Sequence, residues 1–120
     1  MKDPKIQKAY TALGSNLSVN GHIASRAKVW LYSGDKAAWH FLTLPTATAK
    51  NLKAAFKRPR RGWGSIPVIV TIGKSQWKTS VFPDSKSNSF LLPIKASVRK
   101  KEKIEAGKTM AFTLKIDRWR

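Results

Sequence analysis

The 120-residue chain has no cysteine, only six acidic residues and only two histidines. Without thiols there is no disulfide framework, no thiolate nucleophile and no cysteine-based zinc site, so apolar packing alone must hold the fold. Neither His22 nor His40 has a carboxylate at helical or strand-pairing spacing, and the residues therefore suggest no two-histidine metal site and no acid–base pair. No stretch approaches the ~20 apolar residues of a membrane span, and the N-terminus carries no apolar run of signal-peptide length. A cytoplasmic protein is expected, in which the sequon Asn16-Leu17-Ser18 has no role.

The shortage of acids leaves 24 Lys and Arg uncompensated, a formal charge of +18. That exceeds what solubility requires and opposes compaction by self-repulsion, so a polyanion is the leading partner class. A merely solvated cationic surface is the competing reading. With 42% hydrophobic residues and five Trp, the chain can bury the core of one domain.

Asp3-Pro4 followed by Ile6, Ala9, Tyr10 and Leu13 predicts an amphipathic helix over 4–13, and 15–21 reads as a linker. Residues 1–22 thus form a helix and linker, and 23–120 a single domain with a basic tail. From Ile23 the period becomes two: Ala27, Val29 and Leu31 alternate with Lys28, Trp30 and Tyr32, then 33–36 turn and 38–44 extend again. A helix follows Pro45, with Ala47, Leu52, Ala55 and Phe56 on one face. Pro59 prevents it from running through the cationic loop 57–65. Residues 66–72 and 76–82 form a hairpin about Gly73-Lys74, 83–89 a loop, 90–93 a strand, 94–104 a basic helix and 109–116 a last strand. The expected fold is mainly β: a small six-stranded, mostly antiparallel split barrel with two short inserted helices and an extra N-terminal helix.

Motifs for chemistry are sparse. Gly73-Lys74-Ser75 resembles the end of a phosphate loop, but Val68 stands where the first glycine belongs and strands flank it on both sides. Ser65 or Ser80 with Asp84 lacks a Gly-x-Ser-x-Gly elbow. Trp39 and Trp77, in strands, are expected in the core, whereas Trp63 and Trp119 suit packing and stacking equally. His40, between Trp39 and Phe41, reads as a structural or surface histidine.

Several ordered segments resemble the bacterial and archaeal family called domain of unknown function 1905. They are Trp39-His40-Phe41-Leu42-Thr43-Leu44-Pro45, Arg60-Arg61-Gly62-Trp63-Gly64-Ser65-Ile66-Pro67-Val68, Trp77-Lys78-Thr79-Ser80-Val81-Phe82-Pro83 and Leu91-Leu92-Pro93-Ile94-Lys95-Ala96. The resemblance covers about residues 23–117 and implies a compact β-barrel; it transfers no catalytic residue. The segment 90–116 is also similar to the swapped-hairpin DNA-binding proteins of the AbrB and MazE type. Those commonly end in Gly-Asp where this chain has Gly107-Lys108, and they use two such units where one is visible here.

The sequence thus predicts a non-enzymatic barrel whose cationic surface binds nucleic acid or another polyanion. The residues for that role are Lys57, Arg58, Arg60, Arg61, Trp63, Lys95, Arg99, Lys100, Lys101, Lys103, Arg118 and Arg120. One alternative is a small-molecule or enzymatic barrel-end pocket lined by Trp39, His40, Trp63 and Trp77, with Arg61 or Lys78 orienting an anion. Another is a module for an acidic protein partner. A monomer or a homodimer is expected, and no cofactor, metal or catalytic residue is assigned.

Overall fold

Alternation of apolar and polar residues sends most of this chain into strands, because successive side chains then face opposite sides of a sheet. The computed structural model describes residues 18–19, 21–34, 38–56 and 64–117. Within them the strands are β1 (Ser18–Val19), β2 (His22–Ser33), β3 (Ala38–Thr43), β4 (Ile66–Ile72), β5 (Ser75–Asp84), β6 (Ser89–Pro93) and β7 (Thr109–Ile116). Two helices, α1 (Thr46–Ala55) and α2 (Ala96–Glu102), interrupt them.

Six strands close into a fully antiparallel barrel in the order β2-β3-β6-β5-β4-β7, with β7 returning to β2. Two long strands make the corners. Residues 22–28 of β2 pair with β7, while 29–33 pair with β3. Likewise, 75–81 of β5 pair with β4 and 82–84 with β6. The barrel is therefore two sheets that share β2 and β5, an arrangement in which strands switch sheets at the corners.

Inside, Ile66, Val68, Val70 and Ile72 of β4 meet Phe112, Leu114 and Ile116 of β7, Leu42 of β3, and Phe90 and Leu92 of β6, all buried. Each such side chain contributes about 1.5–3 kcal/mol by leaving water. Helix α1 buries Thr48, Ala49 and Leu52, and the Thr48 hydroxyl is 2.8 Å from that of Ser25 on β2. Ala47, expected on that inner face, is exposed. The period-3.6 stripe is rotated because Thr48 turns inward to meet Ser25.

Helix α2 is shorter than the expected 94–104. At its start the Ile94 amide donates to the His40 carbonyl at 2.9 Å, so β3 holds Ile94 extended. At its end Lys103 adopts a left-handed conformation (φ 54°) that stops the helix. Two other segments differ from expectation. Ser18 and Val19, in the expected linker, pair with Ile23 and His22, and Pro83 and Asp84, expected in a loop, complete β5 opposite Phe90 and Ser89. The helix over 4–13, residues 57–63 of the cationic loop and residues 118–120 of the tail lie outside the described residues.

Candidate anion-binding cleft

The geometry of the site follows from the short pairing of β5 with β6. These strands share only the positions Phe82 to Leu91, Pro83 to Phe90 and Asp84 to Ser89. Beyond Pro93 the chain leaves the sheet for α2, while β5 continues along β4. The gap between them is a cleft of about 420 Å³. Trp39 and His40 of β3, Trp77, Lys78 and Thr79 of β5, and Lys95 and Arg99 at α2 line it.

Three cations enter this lining, and no carboxylate is among its described residues. The Arg99 Nε is buried without a hydrogen-bond partner among the described residues, and so is the His40 Nδ1. A buried donor left unpaired costs about 1–3 kcal/mol, and more when it is charged. Burial, and then the neighbouring Arg99 guanidinium, holds the His40 imidazole below its ordinary pKa of 6.5. The ring is therefore neutral near pH 7. Lys78 lies 4.0 Å from the Asp117 carboxylate, with the acid fully buried and the lysine side chain 62% exposed. That pairing anchors the lysine at the rim and leaves its ammonium open to solvent.

The four expected pocket residues Trp39, His40, Trp77 and Lys78 all line this cleft. Trp77 is core at 7% exposure, but Trp39, expected in the core, is 53% exposed. Its neighbour His40 takes the inward-facing position, so Trp39 must point out. Of the expected polyanion residues, Lys95 and Arg99 line the cleft, and Lys100, Lys101 and Lys103 stand on or beside α2. Lys57, Arg58, Arg60, Arg61, Trp63, Arg118 and Arg120 lie outside the described residues.

Other motifs resolve structurally. Ser75 donates to the Glu102 carboxylate at 2.6 Å, so an acid occupies the position that a phosphate would need at Gly73-Lys74-Ser75. Asp84 accepts from the Ser87 hydroxyl at 2.7 Å. Among the described residues, no three His, Asp or Glu side chains gather as a metal site would require.

One feature escaped the sequence reading. Trp30 and Tyr32 of β2 lie opposite Phe41 and Trp39 of β3, and the row continues through Leu91 and Pro93 of β6 to Phe82 of β5. These side chains share one outer face of the barrel. Its signal was present: around residues 29–32 and 39–42 both phases of the alternation are apolar or aromatic, so neither phase is the polar exterior.

A closed six-stranded antiparallel barrel with a cationic, aromatic-edged cleft is the class that fold and site define. The chain belongs to the family described as domain of unknown function (DUF1905), whose profile matches residues 26–114, from β2 into β7. No curated protein matches the chain significantly. Among the described residues, no helix is long and apolar enough to cross a membrane.

Proposed function

We propose that this protein is a nucleic-acid-binding barrel that holds phosphates at the cleft between β5 and α2. The observation that carries this reading is the buried Arg99 Nε, which has no hydrogen-bond partner among the described residues, in a lining with Lys78 and Lys95 and no described carboxylate. An anion there would pair with the guanidinium and relieve the repulsion among the cations. Low-dielectric walls focus such a field on the cleft, and the +18 net charge steers a polyanion toward it. Lys100, Lys101 and Lys103 extend the positive surface along α2.

A second reading has its own support: at about 420 Å³ the cleft falls in the size range of small-ligand pockets and contains His40. A small anion alone would then be the ligand. Titration of a labelled oligonucleotide at about 50 and 200 mM salt separates the two. Nucleic-acid binding predicts a steep loss of affinity with salt. Absence of binding at low salt, together with saturable binding of inorganic phosphate or a mononucleotide, selects the small-anion site instead.

A further inference from the structure

We infer that the nucleic acid is single-stranded and that its bases stack on the outer aromatic face of β2, β3, β6 and β5; this rests on the nucleic-acid reading above. Strand alternation puts Trp30, Tyr32, Trp39, Phe41 and Phe82 on that face. Tyr32 and Trp39 are each 53% exposed and Phe82 is 42% exposed. The rings are held in place. The Trp30 Nε1 donates to the Thr43 hydroxyl at 2.9 Å, and the Trp30 and Phe41 centroids are 5.2 Å apart. Trp39 lies nearly parallel to Phe41, with 12° between the planes and 6.3 Å between centroids.

The opposite sheet shows what an ordinary exterior looks like in this chain. There the exposed outward positions include Arg26 and Lys28 of β2, Lys115 of β7, and Gln76 and Lys78 of β5, with Ile69 and Pro67 of β4 half-buried among them and no Trp, Tyr or Phe ring. Against that polar face, the aromatic one demands an occupant. Trp39 joins it to the cleft, because its ring stacks on Phe41 and the residue is among those that line the cationic gap. An aromatic platform beside a positive groove is the arrangement that binds unpaired strands, with base faces on rings and phosphates on cations. Duplex offers no free base faces to such a platform. A second copy is disfavoured as occupant, since each copy carries a net charge of +18.

The test uses the intact chain with a fluorescent thymidine 12-mer and a mixed-sequence 12-base-pair duplex at low salt. Single-stranded binding is expected to be the tighter, with intrinsic tryptophan fluorescence quenched on saturation. Tyr32→Ala is expected to weaken it about tenfold with duplex binding unmoved, Trp39→Ala to weaken it at least as much, and Trp39→Phe to retain most of the affinity. Arg99→Gln should weaken both ligands. Both aromatic positions are exposed, so unchanged thermal melts establish that these variants fold.

Equal affinity for both ligands, with Trp39→Ala and Tyr32→Ala silent, overturns the stacking inference and leaves polyanion binding intact. Absence of binding to either ligand overturns both. Trp39-dependent binding to phosphatidylserine vesicles without a single-strand preference assigns the face to a membrane surface and overturns the inference. A dimer that Trp39→Ala dissociates while oligonucleotide affinity is unchanged overturns it equally.

Discussion

His40 and Arg99 couple the cleft to pH. The imidazole is held below 6.5 by burial and by Arg99, with Lys95 and Lys78 the other charged groups lining the same gap. A bound phosphate reverses the local potential and raises that pKa. Linkage then requires anion binding to tighten as the pH falls toward the lowered value, and the same titrations in His40→Gln should lose that dependence. Without ligand the sign is opposite: a depressed histidine pKa favours the fold above pH 6.5, and that contribution is lost as the pH drops through the lowered value. A second residue-scale prediction concerns Gly73, whose φ of +58° is left-handed and whose added Cβ would collide with the Glu102 carboxylate. Gly73→Ala should cost about 1–2 kcal/mol in chemical denaturation, because strain adds to disturbance of the Ser75–Glu102 bond. At this scale the sequence was only partly legible. Period two identified alternating positions in β3 but not which phase faced inward, because Trp39 and Phe41 are as apolar as Leu42.

Among the elements, α1 is tied to β2 by one buried hydroxyl pair, Ser25 with Thr48. Removing one partner strands the other, so Ser25→Ala should destabilise the fold by about 1–3 kcal/mol in urea melts. Adding Thr48→Val should cost much less than the sum of the two single changes, since no buried hydroxyl then remains unpaired. Strand positions were legible because β4 is dense in β-branched residues, β5 and β7 alternate, and Gly73 and Gly107 mark the turns beside them. The start of α2 was not. Lys95 and Ile94 suit a helix locally, and only the bond from Ile94 to His40, 54 positions earlier in the numbering, holds the segment extended.

Across the whole molecule, charge and closure dominate. Composition disclosed the +18, but the barrel order is a matter of long-range pairing: the sequence shows six strands without showing that β7 closes on β2. Nor could it show that β5 and β6 part early, which creates the cleft and brings Lys78, Lys95 and Arg99 together. Self-repulsion at this charge predicts that the thermal midpoint rises with added salt, and rises further with a bound polyanion at the same ionic strength. An unchanged midpoint in both conditions would contradict that account. The most direct test compares the salt dependence of thymidine 12-mer binding in the wild type and in Arg99→Gln. Three cleft cations contacting phosphate at about 0.7 each predict a log–log slope of about −2 or steeper, reduced in magnitude by about 0.7 in the variant. Identical slopes, or a flat wild-type line, would contradict the assignment of the cleft as the phosphate site.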